Sequence, residues 1–178
     1  MNLDKFTTKS AEAIQESIQL AMEMGHQTLE PLHLLNTLIK QTDGIVPSLL
    51  QKLELQPEVV RGKIQNNLDS KPTVSQATQP YLSAELNKVL SQAESEAGKL
   101  NDEFISTEHL FLALLDVKEI KSLIPLSKKQ VAQALEKVRG NQKVTDRDPE
   151  NKYQALEKYT QDFTQLARQG KIDPVIGR

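Results

Sequence analysis

The stretch PLHLLNTLI, residues 31–39, returns 76 residues later as TEHLFLALL, residues 107–115. Residues 6–39 align on residues 82–115 without a gap, and their apolar positions stay in register throughout. Internal similarity at a fixed offset marks a duplicated structural unit, and a period near 75 is longer than that of a usual solenoid repeat. The sequence therefore predicts two halves packed into one bundle rather than an open array.

Both halves are predicted to be helical. In the second half, apolar residues recur at steps of three and four, as expected for a helix buried on one side. These residues are Leu82, Leu86, Val89, Leu90, Ala93, Ala97 and Leu100. Thr7 or Thr8 can cap the matching helix of the first half, and Ser83 can cap its partner. Pro31 suits the first turn of the next helix, where its missing N–H is not required, and Thr107 is the predicted cap of the equivalent helix.

The predicted fold class is all-α. Two later helices are expected in each half, the last ones after Pro57 and Ser127, and the second half is about five residues shorter before its last helix. No segment shows sustained alternation or hairpin turn chemistry, so strands are not expected. We predict two pseudo-twofold-related four-helix repeats, about 3–68 and 79–139, forming one compact domain over residues 1–139.

Two further segments follow this domain. The polar stretch GNQKVTDRDPENK, residues 140–152, has Val144 as its only sizeable apolar residue, and it is predicted to be a flexible linker. One more helix is expected after it and is predicted to stop at Gly170. Its apolar stripe consists of Tyr153, Leu156, Tyr159, Phe163 and Leu166.

Composition excludes several classes of function. The 26% of charged residues are nearly balanced, with a formal net charge of −2, which argues against a nucleic-acid partner. The absence of cysteine excludes a disulfide scaffold and a thiolate metal site. The first residues lack the apolar core of a signal peptide, and no apolar run approaches the roughly 18 residues of a membrane span. We therefore expect a cytoplasmic protein without a membrane partner.

The three histidines are the obvious candidates for metal chemistry. His26, His33 and His109 are accompanied by no HExxH motif and no cysteine pair, so no metal site is predicted. We interpret the histidines of the repeated phrase as satisfying a backbone group at equivalent helix starts. Duplication of a packing solution reproduces its polar partner, whereas a single metal site needs only one copy of each ligand.

A resemblance to a known family rests on the twin phrases, on the opening NLDKFT, and above all on LEKYTQDFTQLARQGKIDPVIGR, residues 156–178. Together they resemble the amino-terminal part of Clp-type AAA+ chaperones, in particular of the ClpB disaggregases. The resemblance implies a double-repeat helical domain joined flexibly to a homohexameric motor. It also implies that residues 153–178 are the incomplete start of the first ATPase module.

The same resemblance implies ATP and Mg as cofactors of a full-length protein. Val175, Ile176 and Gly177 would then lie against the adenine of ATP. This chain contains no G-x-x-x-x-G-K-[S/T] phosphate loop, so we expect it to hold no cofactor and to have no enzymatic activity by itself.

The implied function is engagement of exposed apolar segments of unfolded or aggregated client proteins, which are then passed to the motor with the help of a DnaK-type chaperone system. Three polar positions linked to this role in the family match Thr7, Asp102 and Glu108, and the match around Phe104 supports the register. Because few residues are aromatic, we expect any client groove to be lined by aliphatic side chains.

Leu90 and Leu110 are the candidates for this lining. Asp102 and Glu108 could instead merely cap a helix start or complement its dipole, and Thr7 has the same alternative.

Two other functions are kept as alternatives. His109 directly after Glu108 is shared with ClpA-type and ClpC-type repeats, which implies an adaptor-docking domain of a protease-associated unfoldase as the second candidate. A small catalytic or metal domain is the third. Asp102 and Glu108 could form an acid–base pair, but no nucleophile, oxyanion donor or cofactor motif accompanies them.

Overall fold

A computed structural model describes residues 3–42, 44–75, 79–140 and 142–149. The first repeat contains α1 (Thr8–Glu23), α2 (Pro31–Lys40), α3 (Ile45–Lys52) and α4 (Pro57–Asp69). The second contains α5 (Ala84–Lys99), α6 (Thr107–Leu114), α7 (Lys118–Leu123) and α8 (Lys128–Arg139). The all-α prediction is confirmed. The helix predicted after residue 152 and the predicted adenine contacts Val175, Ile176 and Gly177 lie outside the described residues.

Helix starts follow the predicted duplication. Thr7 and Ser83 are the N-caps of α1 and α5, which both have 16 residues, and each side chain accepts a backbone N–H of the first turn. Pro31 occupies the first turn of α2, as predicted. The cap predicted for α6 is wrong by one residue, because Ser106 is the N-cap and Thr107 is the first helical residue. Two adjacent hydroxyl residues give the same capping signal, and only the backbone geometry separates them.

Two strands of two residues each correct the expectation of no strands. Strand β1 (Thr28–Leu29) pairs in parallel with β2 (Tyr81–Leu82), and a single parallel bridge joins Phe6 to Ile105. The 76-residue offset relates Phe6 to Leu82 of β2, and Leu29 of β1 to Ile105. The Phe6–Ile105 bridge and the β1–β2 pairing are therefore equivalent under the pseudo-twofold symmetry. Each repeat is therefore held to the other by backbone hydrogen bonds at two equivalent places. Pairings this short leave no alternation in the sequence.

The two repeated phrases form the centre of the domain. All residues of α2 from Pro31 to Ile39 are buried, and so are all residues of α6. Helix α1 packs along α2, α5 packs along α6, and α2 contacts α6. Each fully buried leucine contributes about 1.5–3 kcal/mol relative to an exposed one, so these two helices supply much of the stabilisation. Among the described helices, none is both long and apolar enough to cross a membrane.

Candidate functional site

Thr7 lies where the start of α1 meets the second repeat. Its side chain is fully buried, and its Oγ1 accepts the Ser10 N–H at 3.3 Å and lies 2.6 Å from Ser10 Oγ. The Thr7 N–H and the Ser10 hydroxyl both donate to the carbonyl oxygen of Ile105, at 3.0 Å and 2.6 Å. Thr7 therefore ties the two repeats together below the surface.

Asp102 is the centre of a buried polar network. Its side chain is fully enclosed, and Oδ2 accepts a hydrogen bond from His109 Nε2 at 3.0 Å. Oδ1 accepts the backbone N–H of Val144 at 2.8 Å and a hydrogen bond from the Arg139 guanidinium. Burial by itself would raise the pKa of Asp102, but the three hydrogen bonds outweigh it and hold the pKa at about 2. The carboxylate is thus charged at neutral pH.

The two histidines of the repeated phrase have the same role. His109 Nδ1 accepts the Ser106 N–H at 3.0 Å, and His33 Nδ1 accepts the Glu30 N–H at 3.0 Å. The interpretation that both satisfy a backbone group at equivalent helix starts is confirmed. Because Nδ1 accepts, Nε2 of His109 carries the proton that it donates to Asp102.

The repeats differ at the partner of these histidines. His26 stands at the position equivalent to Asp102, and its Nδ1 lies 2.8 Å from His33 Nε2. His26 is buried, and its Nε2 has no hydrogen-bond partner among the described residues. Burial, followed by the nearby His26, lowers the pKa of His33 to about 4, and burial also lowers the pKa of His26 despite the neighbouring Glu30. The first repeat therefore holds a neutral pair where the second holds a charged network.

This histidine pair predicts a pH dependence of stability. In the folded protein both pKa values lie below the ordinary 6.5, so between about pH 6.5 and about pH 4 the unfolded chain binds more protons. The contribution is complete above about pH 6.5 and is lost as the pH falls, by at most about 1.4 kcal/mol per pH unit for each group. In His26→Asn the amide oxygen can still accept from His33, and one titrating group is removed. Urea unfolding from about pH 7.5 to about pH 4.5 should give a shallower loss for this variant.

The charged neighbours Glu30, Lys71 and Asp69 are the same in both proteins. The variant removes the titration of His26 and also its lowering of the pKa of His33, and both changes make the loss of stability shallower. Equal pH slopes for the wild type and His26→Asn would contradict the prediction.

Glu108 is buried beside the same cation as Asp102. It is fully enclosed, and neither of its carboxylate oxygens accepts a hydrogen bond from a described residue. The nearest cation is the Arg139 guanidinium, whose Nη1 lies 3.8 Å from Glu108 Oε1. Arg139 Nε also donates to the Gln142 carbonyl oxygen at 2.6 Å. The Arg139 guanidinium is thus the cation beside two buried carboxylates, Asp102 and Glu108.

Sequence reasoning missed Arg139, although a signal was present. Val131 and Leu135 are buried on one stripe of α8, and Arg139 is the next residue of that stripe at a step of four. A charged residue at a core-facing position predicts a buried partner, because an unpaired buried charge is costly.

The three predicted apolar contacts are placed differently from one another. Leu110 is fully buried and Leu90 is 9% exposed, and both belong to the core. Phe104 is half-buried, with the Arg147 guanidinium 5.9 Å from the centre of its ring. A client could touch Phe104 directly, whereas contact with Leu110 would require the core to open. The client-binding role of all six residues stays a prediction.

Part of the predicted linker is attached to the domain. Residues 142–148, which we call the strap, run over the start of α1 and over the segment that precedes α6. Val144 is fully buried, and its carbonyl oxygen accepts the Glu103 N–H at 2.9 Å. The Arg147 carbonyl oxygen accepts the Thr8 N–H at 2.8 Å. The structured unit thus continues past the predicted end of the second repeat.

An apolar groove lies between the end of α5 and α8. Its volume is about 750 Å³, and Leu100, Leu112 and Leu135 contribute to its lining. Leu100 is 40% exposed, which is unusual for a leucine in this domain. Arg139 also lines the groove, so the Asp102 and Glu108 network holds one of its walls. Its charged border is richer in lysine, with Lys99, Lys129 and Lys143, than in glutamate, with Glu96 and Glu136.

In the part of the chain that the structure describes, no three histidine, aspartate or glutamate side chains are grouped so that they could hold an ion.

Comparison with known proteins gives a consistent result. The profile of the Clp repeat (R) N-terminal domain family matches residues 5–128. The chain is 42% identical over 178 residues to chaperone protein ClpB of Bdellovibrio bacteriovorus, covering 97% of this chain and 21% of that protein. It is 39% identical over 188 residues to ClpB of Nitratidesulfovibrio vulgaris, covering 100% of this chain and 22% of that protein. The chain thus spans about a fifth of the length of these curated relatives.

A solved structure extends the likeness to the fold. The Hsp104 N-terminal domain from Candida albicans aligns with a TM-score of 0.75 and 20% identity, over 83% of this chain and 99% of that one.

Proposed function

The chain belongs to the Clp repeat (R) N-terminal domain family, and from this we propose that it is the client-binding amino-terminal domain of an ATP-dependent ClpB-type disaggregase. It engages exposed apolar segments of unfolded or aggregated proteins and passes them to a homohexameric motor. The motor uses ATP and Mg and works with a DnaK-type chaperone system. The catalytic work belongs to modules that follow this domain.

The apolar groove between α5 and α8 is the observation that carries the proposal. It offers an open aliphatic surface, with Leu100 as its most accessible apolar side chain. At this groove, Asp102 and Glu108 act through Arg139, whose position they fix. Thr7 in turn holds the start of α1 against the second repeat. Toward the groove, these polar residues are therefore positioning residues.

The size of the groove implies weak binding. Burial of about 300 Å² of apolar peptide surface gives about 7 kcal/mol, of which at least about 4 kcal/mol is lost to association and ordering. Weak binding suits a domain that must release its client to a motor. Six copies tethered to one ring would raise the apparent affinity through their effective concentration.

Titration with an unfolded client tests the proposal. A reduced and alkylated protein that stays unfolded should shift the NMR signals of the isotope-labelled chain around Leu100 and in the neighbouring network at Phe104, Thr7 and Glu108. The native, folded form of the same protein is the control and should shift none of them. A titration with no shift in any of these places would refute client binding.

A matched pair of variants sharpens this test. Leu100 and Leu82 are equally accessible, at 40% and 41%, but only Leu100 lines the groove. Leu100→Ser should weaken client binding about tenfold, since loss of one half-buried leucine contact is worth about 1–1.5 kcal/mol. Leu82→Ser should leave it unchanged. Retention of a single stoichiometric partner from a lysate, with no binding of the unfolded client, would instead favour the adaptor-docking alternative.

A further inference from the structure

The strap, residues 142–148, is bound to the domain as an extended peptide would be. The Val144 N–H donates to Asp102 Oδ1 at 2.8 Å, and the Val144 carbonyl accepts the Glu103 N–H at 2.9 Å. Three residues later, the Arg147 carbonyl accepts the Thr8 N–H at 2.8 Å. The Thr8 amide belongs to the first turn of α1, where helix N–H groups have no partner within the helix. The body of the domain thus presents an acceptor and two donors to a backbone that is neither helical nor part of the β1–β2 sheet.

Two strap side chains add selectivity to these backbone contacts. Val144 is fully buried, whereas its neighbour Thr145 is exposed. The Arg147 guanidinium lies over the Phe104 ring, donates to the Asp4 carbonyl oxygen at 3.3 Å and is 3.7 Å from the Asp4 carboxylate. The surface therefore holds the small aliphatic side chain of Val144 and, three positions later, the cation of Arg147.

The first repeat offers a contrast with the strap. There a valine amide in the segment after α4 is also bound to the body of its repeat, because the Val74 N–H donates to the Gly25 carbonyl oxygen at 2.8 Å. That segment leads on to β2, which pairs with β1 between the two repeats. The strap takes no part in the β1–β2 pairing or in the Phe6–Ile105 bridge, so it can leave while these pairings between the repeats remain.

We infer that the surface formed by Asp102, Glu103, Phe104 and Thr8 is a binding site for an extended peptide, and that the strap is its intramolecular occupant. The preferred ligand carries a small aliphatic residue followed, three positions later, by arginine or lysine. The identity of that ligand as a segment of an unfolded client rests on the proposed function. A client segment of this kind displaces the strap.

Thiol labelling of the full chain tests the inference. The chain has no cysteine, so Val144→Cys introduces a single thiol at the buried position with a small change in volume. Thr145→Cys is the matched control at the exposed neighbour. Without ligand, Val144→Cys should react with a maleimide at least about tenfold more slowly than Thr145→Cys, because reaction requires the strap to open.

A peptide supplied in trans completes the test. The strap sequence QKVTDRD, blocked at both ends, should accelerate the labelling of Val144→Cys at least about fivefold at saturation, because it captures the open state. It should leave Thr145→Cys unchanged, and the same peptide with aspartate in place of valine should have no effect. Equal labelling of the two variants without peptide, or no acceleration with it, would overturn the inference.

A second variant guards against misfolding as an explanation. Arg147 is exposed, so adding Arg147→Ala to Val144→Cys should keep the far-ultraviolet circular dichroism while speeding labelling about threefold. Unchanged labelling in this double variant would also count against the site.

The outcomes separate this inference from the proposed function. If the unfolded client shifts the groove signals and depends on Leu100, while the strap peptide never exposes residue 144, the inference fails and the proposed function stands. If the strap peptide exposes residue 144 but no unfolded client binds, the peptide site stands and the proposed function fails.

Discussion

Replacement of Arg139 by methionine is expected to lower the free energy of unfolding by about 3–5 kcal/mol. The variant leaves Asp102 fully enclosed without its cation, and Glu108 without the only cation within 4 Å among the described residues. Methionine fills a similar volume, so the loss reports the buried charges rather than a cavity. Urea denaturation at neutral pH measures it, with the midpoint and the slope determined separately.

Two comparisons make this result interpretable. Arg61→Met removes an exposed pair with Glu58, in which the charges are 3.3 Å apart, and should cost at most about 1 kcal/mol. Combining Arg139→Met with Asp102→Asn and Glu108→Gln should recover part of the lost stability, because no charge then stays buried. A loss of less than about 1 kcal/mol for Arg139→Met alone would show that the Arg139 network does not stabilise the domain.

Leu110→Ala is expected to cost about 2–5 kcal/mol, because Leu110 is fully buried in α6 and truncation leaves a cavity. Leu82→Ala removes the same atoms from a 41% exposed side chain and should cost less than about 1 kcal/mol. Thermal unfolding followed by circular dichroism gives both values.

The same variant decides between two roles of Leu110. A residue of the core should lose stability and keep client affinity at temperatures where the variant is folded. A groove residue, as the sequence predicts, should lose affinity and keep stability. Full stability combined with lost binding would contradict a role of Leu110 in the core.

The helices were predictable because their signals are local and repeated. The apolar stripe of α5, the cap Ser83 and the histidine at the third position of α2 and α6 all lie within one or two turns of the feature that they determine. Because the unit is duplicated, each of these signals occurs twice in the sequence. The two-residue strands were missed because their pairing depends on segments that are far apart in the chain.

The site was predictable only in part, because its character depends on distant partners. Asp102 and Glu108 at a helix start fit an exposed cap and a buried network equally well. The choice is made by Arg139, which is 37 residues from Asp102. Val144 looked like a lone apolar residue in a polar linker, yet the Asp102 carboxylate and the Glu103 amide give its backbone partners. Neither relation leaves a periodic pattern.

The two backbone pairings between the repeats, β1 with β2 and Phe6 with Ile105, also set the order in which the domain can be completed during synthesis. The ribosome releases the amino terminus first, so α1 and α2 emerge while the partner of Phe6, at Ile105, has not yet been made. At about 5–20 residues per second, the first repeat waits about 4–15 s for the equivalent part of the second. During that time its central helix has no α6 to cover it. The nascent first half of this domain is thus an incompletely folded polypeptide with apolar surface exposed.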